Sequence, residues 1–123
     1  MSATPVQLPN FFIIGAPKCG TTYLWDVLRN HPEIYMSDVK EPNFLCNGLN
    51  WDRGWEWYRE LFKGADGHRR VGEASGTYSQ VYLWPEAARR IASYFPEAKL
   101  IYIVRNPLAR IESAWKQALS TGH

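Results

Sequence analysis

Phe11-Phe12-Ile13-Ile14-Gly15-Ala16-Pro17-Lys18-Cys19-Gly20-Thr21-Thr22-Tyr23-Leu24 is the stretch that decides how this chain folds. Its apolar run ends at Gly15 and reads as a buried strand. From Thr21 the spacing turns helical and sets Tyr23, Leu24, Val27 and Leu28 on one face, until Asn30-His31-Pro32 stops the helix. The order is therefore strand, glycine-containing loop, helix.

Glycines let a loop turn tightly and aim its backbone N–H groups at one point, and the N-terminus of the following helix adds partial positive charge. The segment from Gly15 to Thr22 is thus an expected anion cradle. The spacing from Gly15 to Gly20 matches a nucleoside-triphosphate loop, but Thr21 stands where that loop carries its lysine. The lysine here is Lys18, inside the loop, where it sits closer to a single anion held in the cradle than to the far phosphates of a triphosphate. No apolar strand ends in an Asp suited to hold magnesium, so metal-dependent triphosphate hydrolysis is disfavoured and no metal is expected.

Outward from this unit, residues 33–50 read as irregular, with Pro42, Asn47 and Gly48 as breakers. Asp52 to Phe62 reads as an aromatic-rich helix closed by Gly64, and Arg70 to Glu73 as a short strand. Pro85 suits a helix start, with Ala87, Ile91 and Tyr94 facing inward up to Phe95. Leu100-Ile101-Tyr102-Ile103-Val104 reads as a strand buried on both faces, and Pro107 opens a helix to about Ser120. Alternating strands and helices imply an α/β fold, a parallel sheet flanked by helices with right-handed crossovers. No further strand follows the last helix, so the domain reads as incomplete.

Composition narrows the function. The 123 residues, 46% hydrophobic and 21% charged, suffice for one packed domain. A net charge of +2 lacks the dense basic stripe of a nucleic-acid binder. Three His without ligand spacing and two Cys argue against structural zinc, and Cys19 and Cys46 read as free thiols. The first nine residues lack the pattern of a secretory leader, and no segment reaches membrane-spanning length; a cytoplasmic protein that binds neither nucleic acid nor membrane is expected. His31 reads as a helix-end residue, His68 as exposed, and Trp51, Trp55, Trp57 and Tyr58 as packing.

Pro17-Lys18-Cys19-Gly20-Thr21-Thr22 resembles the 5′-phosphosulfate loop of sulfotransferases that use 3′-phosphoadenosine-5′-phosphosulfate (PAPS). The run from Lys99 to Pro107, followed by Arg110 and Ser113, resembles the same family's 3′-phosphate site. Lys40-Glu41-Pro42-Asn43-Phe44 resembles the Lys-Glu-Pro-x-Phe segment of its glycosaminoglycan-type and bacterial members. Gly72-Glu73-Ala74-Ser75-Gly76-Thr77-Tyr78 resembles a further segment in which a Lys often follows the Glu; here Ala74 stands there.

The resemblance implies a P-loop-type fold in which residues 1–10 form an extension and 11–123 the N-terminal half of a sulfotransferase domain. It implies that Pro17, Lys18, Cys19, Gly20, Thr21 and Thr22 hold the donor's 5′-phosphate, and that Arg105 and Ser113 hold its 3′-phosphate. It further implies that Glu41 is the base for an acceptor hydroxyl, an amine being the second choice, and that adenosine 3′,5′-bisphosphate is the product. Glu73 and Tyr78 are expected either to line the acceptor cleft or to cap a strand. Two rival readings stand beside this one: a P-loop nucleotide kinase or NTPase, and a nucleotide-binding fragment without catalysis.

Overall fold

The computed structural model describes residues 7–16 and 20–104. Pro17, Lys18 and Cys19, Arg105, Arg110 and Ser113, and the helix expected after Pro107 lie outside the described residues.

The first strand, β1 (Phe11–Gly15), leads to helix α1 (Thr21–Arg29) and then to β2 (Ile34–Met36). A 3-10 turn at Trp51–Arg53 runs into α2 (Gly54–Glu60), followed by β3 (Arg70–Ala74) and a second 3-10 turn at Gly76–Ser79. Helix α3 (Pro85–Tyr94) and strand β4 (Lys99–Tyr102) complete the described chain. All pairings are parallel and the strand order is β2-β3-β1-β4. The expected α/β architecture is therefore present.

Alternation along β1 divides the core. Phe11 and Ile13 face α1, where they meet Trp25, Met36 and Ala74. Phe12 faces the other way, into a larger cluster with Phe44, Tyr58, Phe62, Tyr78, Ile91 and Phe95. The connection from β1 to β2 runs one way along the sheet and that from β3 to β4 runs the other. Right-handed crossovers then place α1 and α3 on opposite faces.

Several expectations need correction. On α1, Tyr23 and Val27 are exposed, and the buried stripe is Thr21, Leu24, Trp25 and Leu28. The indole of Trp25 turns the helix, because it fills the core and its Nε1–H donates to the Ser37 carbonyl at 3.3 Å. Within residues 33–50 the short β2 exists because Ile34, Tyr35 and Met36 pair with Arg70, Val71 and Gly72; three residues are too few to show a period by themselves. The aromatic helix is shorter than expected, and Trp51–Arg53 takes the tighter winding.

On α3, Ala87 and Ile91 are buried as expected, but Phe95 goes inward while Tyr94 stays half exposed against Trp51 and Trp55. Strand β4 is not buried on both faces. Leu100 and Tyr102 are 54% and 52% exposed, because β4 is the edge of the described sheet and only its Ile101 and Ile103 side meets the α1 cluster. His68 is half buried, edge-on to Tyr35, with Nδ1 against the Ala65 carbonyl. The tryptophans pack as expected, Trp51, Trp55 and Trp57 all surrounding Phe44.

Candidate active site at the carboxyl edge of the sheet

In a parallel sheet the loops that leave the carboxyl ends of the strands gather along one edge, where α/β proteins bind their ligands. Here that edge collects the loop after β1, residues 37–50 after β2, and residues 75–79 after β3. An apolar cavity of about 280 Å³ lined by Phe11, Leu28, Ile34, Arg70, Lys99 and Ile101 lies at the opposite edge, among residues that begin the strands. It is in the wrong place to be this site.

Gly20 precedes α1 at φ 91°, a left-handed conformation that glycine adopts without the steric cost a Cβ imposes. It offers no side chain to cap the helix, and among the described residues no side chain takes that place, which leaves the first-turn N–H groups of Thr21, Thr22 and Tyr23 with capacity for an anion. Thr21 is buried and Thr22 exposed at this helix start. The base of the loop is fixed to the sheet, with Ala16 N–H donating to Ile103 O at 3.0 Å and Ile103 N–H to Gly15 O at 2.7 Å. A side chain at Gly15 would run into Ser79, so the backbone of β1 and the turn after β3 approach closely here.

Glu41 stands on the loop after β2, exposed, with φ 55°; Asn43, two residues on, has φ 51°. Left-handed backbone costs a non-glycine residue about 1 kcal/mol or more, least for Asn, so the surroundings must enforce it. They do so through many bonds. Asn50 Nδ2 donates to the Pro42 carbonyl at 2.6 Å, and Thr77 Oγ1 donates to Asn43 Oδ1 at 2.7 Å. The Asn43 N–H donates to Ser75 Oγ at 3.0 Å, and the Phe44 and Leu45 N–H groups both donate to the Tyr78 hydroxyl, at 3.1 and 3.4 Å. Farther along, Arg90 reaches the Leu45 carbonyl at 2.9 Å, and Glu86 accepts from the Asn47 N–H at 2.9 Å. Phe44 anchors the loop by stacking on Tyr58, with ring centres 4.3 Å apart.

Glu73 and Tyr78 are turned into the protein, Tyr78 also lining a cavity of about 280 Å³ with Ile14, Ile91, Phe95 and Leu100. Both are buried, Glu73 at 0% exposure, and Glu73 accepts hydrogen bonds from Ser75 Oγ at 2.6 Å, from the Tyr78 hydroxyl at 3.0 Å and from the Tyr58 hydroxyl. Burial pushes the Glu73 carboxyl up to about 7, against the opposing pull of its three hydroxyl partners. Burial, and then the facing Glu73, hold the Tyr58 and Tyr78 phenols well above their ordinary range, so both remain donors. Cys46 is free and buried, and burial pushes its thiol up.

Of the residues singled out in the sequence, Gly20, Thr21, Thr22 and Glu41 thus sit along one edge. The Trp25 to Ser37 bond ties α1 to the start of the Glu41 loop. Ser75 and Thr77 were not singled out as site residues, although the segment that holds them was; their role depends on hydroxyl contacts across more than thirty residues of sequence.

The sulfotransferase domain family matches residues 8–123. Among curated proteins, heparan sulfate glucosamine 3-O-sulfotransferase 6 of Mus musculus is 36% identical over 114 residues, covering 93% of this chain and 32% of the relative. Bifunctional heparan sulfate N-deacetylase/N-sulfotransferase 1 of Caenorhabditis briggsae is 36% identical over 124 residues, covering 97% and 14%. Among solved structures, a sulfotransferase from Alicyclobacillus acidocaldarius is 36% identical with a TM-score of 0.77, covering 95% of this chain and 52% of that one. The chain therefore spans about a third or less of these two curated relatives and about half of the solved structure.

Proposed function

We propose, from the premise that this chain belongs to the sulfotransferase family, that the protein transfers a sulfuryl group from PAPS to an acceptor hydroxyl, with an amine as second choice. The observation that carries this reading is the exposed Glu41, held in left-handed backbone on the loop after β2, at the same edge of the sheet as the start of α1. A carboxylate presented at the same edge as an anion cradle suits proton removal in concert with transfer between two oxygens.

In the proposed reaction Glu41 takes the proton of the acceptor hydroxyl as its oxygen attacks sulfur. The new O–S bond forms in line with the breaking bond between sulfur and the 5′-phosphate oxygen, which keeps the electron pair. The products are a sulfate ester and adenosine 3′,5′-bisphosphate. Lys18, the amides around Gly20 and the hydroxyls of Thr21 and Thr22 neutralise the charge left on that phosphate, with Pro17 and Cys19 completing the loop. Arg105 and Ser113 hold the 3′-phosphate. The transferred group carries less charge than a phosphoryl group, so the lysine and backbone dipoles serve in place of a metal.

The relatives' names support a sugar-type acceptor, as an O- or an N-sulfation target. The proposal includes a cytoplasmic, reducing setting, with which the unbridged Cys46 agrees.

The test is a calorimetric titration with adenosine 3′,5′-bisphosphate, 5′-AMP and ATP, on this chain and on the native protein. A radiolabelled PAPS assay with a heparan sulfate oligosaccharide and with p-nitrophenol accompanies it. A clear preference for the bisphosphate and label transfer abolished by Glu41→Gln are expected. Equal binding of all three nucleotides by both forms, or magnesium-dependent ATP hydrolysis, overturns the reading in favour of a P-loop NTPase. Preferential binding by the native protein, with no turnover of either acceptor, leaves a nucleotide-binding protein without catalysis on these acceptors.

A further inference from the structure

A carboxyl group buried without a cation partner is costly, and an apolar side chain would fill the same volume more cheaply. Glu73 is such a group: among the described residues its partners are three hydroxyls and no Lys or Arg. What it does to those hydroxyls is the informative part.

A hydroxyl has one proton to give and two lone pairs. When Glu73 is ionised, Ser75 and Tyr78 each direct their proton to it. Each is then left with only acceptor capacity toward the loop in front of it, and there the Asn43, Phe44 and Leu45 N–H groups point at those oxygens. Pro42 has no N–H, so these are the first three amides after Glu41. The chain of bonds runs from Glu73, on a central strand of the sheet, through two hydroxyls, to the backbone just behind Glu41.

We propose that Glu73, Ser75 and Tyr78 are positioning residues for Glu41, fixing the loop that presents it by turning two buried hydroxyls into acceptors for three successive backbone amides. This rests on the reading of Glu41 as the base, though the fixing of the loop stands apart from it. Glu86 and Arg90 of α3 hold the loop farther along, at Leu45 and Asn47, while Asn50 and Thr77 join the network behind residues 43–45 in holding the end that carries Glu41. Tyr58 also donates to Glu73 but does not bond the loop amides.

The test compares Tyr78→Phe and Ser75→Ala with Tyr58→Phe in the native protein. Hydrogen exchange needs no acceptor and reads the loop directly. Amides 43–45 are expected to exchange at least ten times faster in Tyr78→Phe, with a smaller rise in Ser75→Ala. In Tyr58→Phe they are expected to stay near wild-type protection although melting falls by a similar amount. Unchanged exchange at 43–45 in Tyr78→Phe, or equal exchange in the two tyrosine variants, overturns the proposal.

Turnover separates the two claims. Tyr78→Phe is expected to lower kcat about tenfold or more while the affinity for adenosine 3′,5′-bisphosphate stays within about twofold, and to add nothing further in a Glu41→Gln background. Full turnover in Glu41→Gln with faster loop exchange in Tyr78→Phe refutes the base assignment and leaves the loop support standing. Loss in Glu41→Gln with unaltered kcat in Tyr78→Phe refutes the positioning role alone.

Discussion

The loop after β1 and the loop after β2 reach the same edge of the sheet with opposite support. At the described end of the first, Gly20 turns the backbone at φ 91°, and the helix it opens supplies N–H groups at once. The second is made by its neighbours. Glu41 and Asn43 are left-handed without being glycine, and what keeps them there are bonds from Asn50, Ser75, Thr77 and Tyr78, backed by Glu73. A site for a bound anion can be a local structure, because the peptide group itself is the ligand. A site for a base must place one flexible carboxylate accurately, and that takes a rigid frame behind it.

The largest expected effect isolates the first loop. Lys18→Ala should cut sulfuryl transfer about a thousandfold while thermal melting stays within a degree or two, as for the loss of a charge-stabilising donor. A variant with near-normal turnover would remove the lysine from the mechanism. Phe44→Ala attacks the second loop. Removal of a ring that is 0% exposed and stacked on Tyr58 should cost about 3–5 kcal/mol in denaturant unfolding. In the fraction that stays folded, bisphosphate affinity should survive better than kcat.

The next effect depends on pH. Glu73 is raised from its ordinary 4.5 to about 7, so between these values the folded state holds a proton that the unfolded state has released. Its contribution to stability is complete below about pH 4.5 and is lost as pH rises through about 7, for a total of about 3 kcal/mol. Glu73→Gln cannot ionise, so its unfolding free energy should lack this decline over the same range. A wild-type and a Gln variant with parallel pH profiles would show that Glu73 titrates near its ordinary value.

The smallest effects set the two loops against each other directly. Gly20→Ala forces a Cβ into left-handed backbone and should lower stability by about 1 kcal/mol while weakening bisphosphate binding. Glu41→Gly relieves the same kind of strain and should raise stability by up to about 1 kcal/mol while abolishing transfer. Melting curves and titrations of the pair would decide it; a shift of the same sign in both would erase the contrast between the loops.

How much of this was legible beforehand follows the same division. Strand β1 and helix α1 were plain in the order of residues, as were β3 and the proline-led start of α3, because each signal lies within a few neighbouring positions. The inward stripe of α1 was misplaced by Tyr23 and Val27, since periodicity alone could not reveal that Trp25 has a partner in Ser37. Strand β4 was expected to be covered on both faces because it is apolar throughout, but its edge position in the strand order leaves Leu100 and Tyr102 half exposed.

By itself the sequence determined the alternating α/β order and, through four motifs, the family, and it pointed to an anion cradle after β1. Those properties reside in backbone shape and in residues that are neighbours in the chain. Only the tertiary structure decided that Glu73 and Tyr78 are buried beneath the Glu41 loop, and that Ser75 and Thr77 bond that loop at Asn43. Residues 43 and 75–78 are more than thirty positions apart, and the parallel pairing of β2 with β3 brings the loops that follow them together. Once buried there, a hydroxyl has to satisfy both of its neighbours, and that requirement, absent from the unfolded chain, fixes which way each proton points.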